Sequence, residues 1–480
     1  MLRPQSERCK TVLVPHTHIH IEFGRIASII SRAACTYISV AIRFGWALPA
    51  GFNHGIRSER HRLYGGIYMT LLEERKKRIS DSIDLREPDC VPITATGATF
   101  PALEAGYTVA QVMYDFEKHA DSLIKSLLKY EPDAAGGGVM GAGMGPIYEL
   151  IRSKTMAWAG APDGRIPENS LNQFIEFVVL KEEDMEFFKR DYTGWMITKG
   201  LPAVCELLEP LADWKFASEP LNSYTSTVFG AISSPASREM IKMIWKISDM
   251  SAEIGKKNKE LNEKIVELGF PINTGGHANV PFDAFSNFYR GTLDTMMDLY
   301  ERPELIEHYI DEQIEAVLES ITKQAKMSPG KWMFMPLHKG MDKFLTDDQY
   351  RDYYWKHLQR MILHIIDVGM VPFVYTEGPY HSRLKYLSDV PKGKVVYGFE
   401  DVDPVAAKKE LGGIACISGL FPSYMLHYGK KQQVIDEAKR LIDILAPGGG
   451  YILSTTAGID NAIPENVEAL YETVRTYGKR

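Results

Sequence analysis

Short β-type runs alternate with amphipathic helical stretches along most of the chain, and the alternation is clearest in the last third. There the runs 333–337, 371–376, 395–399, 414–418 and 451–454 are followed in turn by His338, Glu377, Glu400, Gly419 and Thr455–Thr456. Between them, helical stripes cover about 347–368, 404–411, 432–445 and 464–477. Apolar residues recurring every three to four positions mark a helix with one buried face. Upstream, Leu305, Ile306, Tyr309, Ile310, Val317, Leu318 and Ile321 predict a long helix over 302–326, and a further helix covers about 109–129. Strands are expected at 91–94, 134–140 and 275–280; the run 174–180 (FIEFVVL) is also β-like, and 201–269 reads as largely helical. Without the 174–180 run there are eight strands, near 92, 137, 278, 335, 373, 397, 416 and 452. Eight strands that alternate with helices predict an α/β fold of the (β/α)8 TIM-barrel type with insertions, the extra length falling mostly between Gly145 and Pro271. A doubly wound open sheet is the competing architecture.

The first 68 residues break this pattern. They hold nine Lys/Arg against three Asp/Glu and five of the thirteen histidines, with little periodicity. The reading divides the chain into an atypical, poorly ordered amino-terminal extension over 1–68 and a barrel over 69–480. The extension is read as translation from an upstream start ahead of Met69, with a targeting segment as the other possibility. His16, His18 and His20 alternate as strand residues would and are taken as incidental composition. From Met69 a helix opens, with Thr70 as its N-cap and Leu71, Leu72, Ile79 and Ile83 as its apolar stripe.

Composition removes several functions. Apolar residues make up 45% and charged residues 24% of the chain, the usage of a soluble globular protein. The net charge of −7, with the basic extension set aside, leaves an acidic body ill-suited to nucleic acid. Ile26–Ala50 is interrupted by Arg32 and Arg43, so no membrane span is expected. Five scattered cysteines without a CxxC pair argue against a disulfide framework and for a reducing cytoplasm.

Four constellations are candidates for chemistry. His338, Glu377 and Glu400 close successive predicted strands, and adjacent strands lie about 5 Å apart. Two carboxylates and an imidazole at one barrel rim form a site for Zn2+ or for acid–base catalysis, the alternative being that they only hold loop N–H groups. Around them Tyr375, His277, His381 and Arg290 are candidates for substrate binding. Arg290, in the aromatic run FDAFSNFYRG, clamps an anionic ligand or pairs with an interior acid. The run from Gly136 to Gly141 formally matches GxGxxG, but its helix begins only near Ile147, so close approach of a ligand to backbone is favoured over dinucleotide binding. Asp403 before Pro404 reads as a helix cap.

Four segments together resemble the uroporphyrinogen decarboxylase superfamily: FSNFYRGTLDTMMDLYERPELIEHYID, HKGMDKFLTDDQYRDYYWKHLQRMILHIIDVGMVPFVYTEG, FEDVDPVAAKKELGGIACISG and GGGYILSTTAGIDNAIPENVEAL. The resemblance spans most of 69–480, is strongest after about 280, and implies a (β/α)8 barrel with its site at the carboxyl-terminal mouth. The arginine motif, the following Asp and the late Gly-His of true uroporphyrinogen decarboxylases are replaced here by CVPITATGATF, AAGGGVMGAGMG and TTAGIDNAIPEN. The chain is therefore closer to the cobamide-dependent methyltransferase branch. That branch holds Zn2+ with His-x-Cys and a distant Cys, where this chain has Tyr375-Thr376-Glu377-Gly378 and Thr456–Ala457.

The resemblance thus implies an enzyme that transfers a methyl group between a small methylated substrate, such as a methoxylated aromatic, and a corrinoid carried by a partner protein. Glu377, Glu400 and His338 would serve as catalytic residues and as ligands of a Zn2+ held by oxygen and nitrogen. Decarboxylation of a tetrapyrrole acid, and non-catalytic binding of a tetrapyrrole or corrinoid, stand as the other readings.

Overall fold

The computed structural model describes residues 61–64, 67–95, 97–214 and 228–480, which fall in one compact unit beginning at Arg60. The extension read over 1–68, with its three alternating histidines, lies almost wholly outside the described residues; only the antiparallel hairpin of β1 (His61–Tyr64) and β2 (Ile67–Thr70) is seen. Thr70 then caps α1 (Leu71–Ile83) in a reciprocal capping box with Glu73, as its sequence predicts.

The sheet is a closed ring. Six strands run parallel in chain order: β5 (Thr274–His277), β6 (Trp332–Leu337), β7 (Val371–Pro379), β8 (Val396–Asp401), β9 (Cys416–Phe421) and β10 (Tyr451–Thr455). Two irregular staves close it. Residues 92–94 exchange hydrogen bonds with Leu453, Asp133 N–H donates to Ile93 O, and Ala135 N–H donates to Pro271 O beside the Ala135–Ile272 bridge. Six of the eight expected strands are regular; those expected at 91–94 and 134–140 are reduced to the bridges at Ile93 and Ala135, with 136–140 in loop and turn, yet they close the ring, and the open sheet is set aside. The short strands β3 (Met156–Ala157) and β4 (Gln173–Phe174) pair outside the ring, in the long segment between the second stave and β5. The β-like run 174–180 enters a strand only at Phe174, which corrects that reading: Phe174 and Val178 are exposed and most of the run is irregular.

Side-chain alternation divides the strands between two environments. Met333, Met335, Leu337 and Val374 face the helical layer, which includes α2 (Pro303–Met327) and α3 (Lys356–Asp367). Trp332, Val396, Cys416 and Ile452 face inward and form the lowest interior layer, with Ile79 and Ile83 of α1 packed against it as a floor. All six of these residues are at most 8% exposed. The glycine run 136–141 lies in a loop, and the next helix is Gly145–Ile151. Asp403 caps its helix by accepting from Ala406 N–H at 3.0 Å.

Candidate active site at the barrel mouth

Register places the site. Pro336, Tyr375, Gly398 and Ser418 are successive Cα partners across β6–β9 and share one inward-facing level. Two residues further along each strand, on the same side of the pleat, come His338, Glu377 and Glu400. The register of β7 against β8 shifts between Thr376 and Pro379, and Gly378 adopts φ +77°, a conformation that glycine takes without strain. The shift turns the Gly378 N–H onto Glu400 Oε2 at 2.8 Å.

His338 and Glu377 are bonded directly, Nδ1 to Oε2 at 2.8 Å. Burial lowers the proton affinity of His338, but the hydrogen bond it donates to Glu377 and the nearby charge of Asp283 outweigh it, so the imidazole pKa is raised. Glu400 accepts the Tyr375 hydroxyl at 2.9 Å through its other oxygen, and that hydroxyl also reaches Thr456 O. Burial first, and then Glu400, push the Tyr375 phenol well above its ordinary value, so it is a neutral donor. His277 closes β5 with its ring 5.9 Å from that of Phe334, and its main chain is held on both sides by Gln324. Partial enclosure and the neighbouring His338 depress its pKa, which keeps it neutral.

Below this rim an aromatic ladder lines the β6–β7 side of the interior. Trp332, Phe373, Phe334 and Tyr375 follow one another with ring centroids 5.2, 5.7 and 6.1 Å apart, and the last three are half-buried. Gly398 leaves room for them: a Cβ there would lie 3.0 Å from Phe373 and 3.1 Å from Tyr375. The described inward positions of β6–β10 carry aliphatic side chains and a thiol as well as rings, hydroxyls and carboxylates, and no arginine or lysine.

Two expected site residues stand elsewhere. Arg290 is a correction: it is buried with Nε 2.7 Å from Asp298 and Nη1 3.0 Å from Asp294, and it donates to Leu180 O at 3.2 Å. The interior-acid reading holds, and its charge is consumed within the protein. His381 is half exposed on the turn after β7, where its nearest ionic neighbour is Asp342 at 3.9 Å.

A residue absent from the sequence reading is Asp283. It is fully buried and accepts from the Tyr354 hydroxyl at 2.6 Å and from the His338 and Lys339 N–H groups at 2.9 Å each. Burial raises its pKa against the pull of these donors. The only signal in the sequence is an acid embedded in the apolar run VPFDAF.

As arranged, the donor set does not form a Zn2+ site. His338 Nδ1 and Glu377 Oε2 are taken up by each other, both Glu400 oxygens accept hydrogen bonds, and no three His, Cys, Asp or Glu stand where they could hold a metal among the described residues.

Comparison with known proteins agrees with this architecture. Residues 256–477 match the family model described as Uroporphyrinogen decarboxylase (URO-D). Among solved structures, a methyltransferase from Methanosarcina mazei superposes with a TM-score of 0.54 at 16% identity, covering 84% of this chain and 98% of its own. At that identity the likeness establishes a shared fold. No curated protein sequence matches the chain.

Proposed function

We propose that this chain, whose residues 256–477 match the family model described as Uroporphyrinogen decarboxylase (URO-D), is a cytoplasmic methyltransferase acting at its barrel mouth on a small methoxylated aromatic. The observation that carries this reading is the His338–Glu377 pair standing above an aromatic ladder, with no arginine or lysine at the described inward positions of β6–β10. A tetrapyrrole acid presents several carboxylates, and burying them against Glu377 and Glu400 without arginines is unfavourable. A neutral ring suits Phe334, Phe373 and Tyr375, where offset and edge contacts of aromatic rings are favourable. No helix among the described residues is long and apolar enough to cross a membrane, in keeping with a soluble enzyme.

The chemistry follows from the protonation states. His338, its pKa raised by Glu377 and Asp283 against the effect of burial, holds a proton more firmly than a free imidazole does and stands at the mouth. The methyl carbon leaves its oxygen, the electron pair of the C–O bond stays on that oxygen, and the proton of His338 neutralises it. Glu377 keeps the ring oriented and stabilises the imidazolium before transfer. Glu400 and Tyr375 hold a hydroxyl of the substrate or the far side of the ring. A corrinoid carried by a separate protein supplies the nucleophile that takes the methyl group.

The test is to mix the protein with free cob(I)alamin and 2-methoxyphenol and to follow methylcobalamin by absorbance, with catechol release measured in parallel. Methyl transfer that is lost in His338→Gln and Glu377→Gln is expected. Carbon dioxide release from uroporphyrinogen without any methyl transfer would overturn the proposal in favour of decarboxylation.

A further inference from the structure

We propose that Asp283 is the positioning residue of this site, fixing the main chain at His338 and Lys339 so that the imidazole meets Glu377. The inference rests on the site described above and concerns how it is held. Asp283 lies in the short helix Pro281–Phe285, between Phe282 and Phe285, and all three are fully buried. A carboxylate so enclosed is costly unless its lone pairs are filled. All three side-chain hydrogen bonds of Asp283 go to residues 55 to 71 positions away in the chain: Oδ2 accepts from His338 N–H and the Tyr354 hydroxyl, and Oδ1 accepts from Lys339 N–H.

The place of those two amides explains the arrangement. The last Cα pair of β6 with β7 is Leu337–Thr376, so the ladder offers nothing regular to the next N–H groups. Asp283 supplies the missing acceptors and carries strand-like order one step past the end of β6. The turn is confined on its other side too. A Cβ at Gly340 would lie 2.5 Å from the Tyr380 hydroxyl and 2.8 Å from the Tyr354 ring. The chain between Leu337 and Gly340 is therefore clamped between Asp283 and two buried tyrosines. The groups facing the imidazole are Glu377 from β7, Asp283 from the short helix after β5, His277 from the end of β5, and Lys339 beside it. Of these, Asp283 alone holds the main chain. An acid–base pair needs its partners held within hydrogen-bond reach, and a fully buried group can contribute to that only through others.

Asparagine at 283 presents an NH2 where one of the main-chain donors now points, so Asp283→Asn breaks the clamp with little change in volume. The readout is the imidazole 1H–15N spectrum, with His338 assigned by its absence in His338→Gln. Folded Asp283→Asn should lose the downfield Nδ1 proton of His338, whereas Tyr354→Phe, which leaves both amide bonds in place, should retain it. If Asp283→Asn is folded and keeps that proton, the proposal fails. Should the variant not fold, amide exchange in the native protein decides: His338 and Lys339 amides protected like those of β6 support the clamp, and amides exchanging like an open loop overturn it. Neither readout involves methyl transfer, so the inference can fail while the proposed reaction stands, and the reverse.

Discussion

Replacing Asp298 with alanine isolates the reassignment of Arg290 from site residue to structural ion pair. Asp298 is fully buried and holds Arg290 Nε at 2.7 Å and Arg302 Nη1 at 2.9 Å. Removing one partner of a buried pair costs about 3–5 kcal/mol, because the other charge is left uncompensated. Here Asp294 at 3.0 Å and Leu180 O at 3.2 Å still contact Arg290, which places the expected loss near the lower end, about 3 kcal/mol. That corresponds to roughly a hundredfold change in the unfolding equilibrium. Urea denaturation of the native protein, Asp298→Ala, and the double variant Arg290→Met with Asp298→Leu is the assay. The double variant should lie well above Asp298→Ala, because an apolar pair of similar volume leaves no fully buried charge stranded, Asp294 and Arg302 both reaching solvent. A stability of Asp298→Ala within about 0.5 kcal/mol of the native protein would refute the reasoning. So would an Arg290→Met protein of native stability that has lost its ligand, since Arg290 would then return to the site.

Three further outcomes are expected. Since the folded-state pKa of His338 is raised, its pairing with Glu377 stabilises the protein fully below the unfolded imidazole value of about 6.5 and less as pH rises through the folded value. The stability gap between native protein and Glu377→Gln, measured by denaturation over a pH series, should therefore close toward alkaline pH; a gap that widens there contradicts the pairing. His119 is buried against Gly138 with its pKa lowered to about 4 by desolvation. Folding then disfavours its proton, so stability should fall as pH drops from about 6.5 toward 4, and His119→Phe should flatten that limb; an unchanged acid limb would count against a neutral, buried imidazole. Gly398→Val should remain folded at a cost of about 1–3 kcal/mol from overpacking, yet lose calorimetric binding of methoxybenzene, and native binding by this variant would show that the ring does not enter beside Phe373 and Tyr375.

What was legible before the structure follows from how far each signal reaches along the chain. β6 to β10 announce themselves as compact apolar runs because both faces of each strand are covered, and their ends are marked by His338, Glu377 and Glu400. The first two staves are weaker, since residues 92–94 and 133–135 join the ring by few hydrogen bonds and carry little β pattern. The pairing of Arg290 was half readable: Asp294 and Asp298 share a helical face four residues apart, but Gly291 at φ +80° separates their helix from Arg290, so spacing alone did not bring the three together. The aromatic surroundings of Arg290 suggested a ligand instead. Asp283 gave no comparable sign, because its partners are long-range and two of them are main-chain amides. The run 174–180 shows the opposite error, where residues of strand type lie in an insertion that has no sheet edge to join.

The floor that Ile79 and Ile83 pack beneath Trp332, Val396, Cys416 and Ile452 stops the lower end of the barrel. On the proposed reading, a ligand admitted past Glu377 and Glu400 would leave by the same doorway, so cargo and collector would take turns or share one threshold. Traffic, as much as chemistry, would then be written into α1.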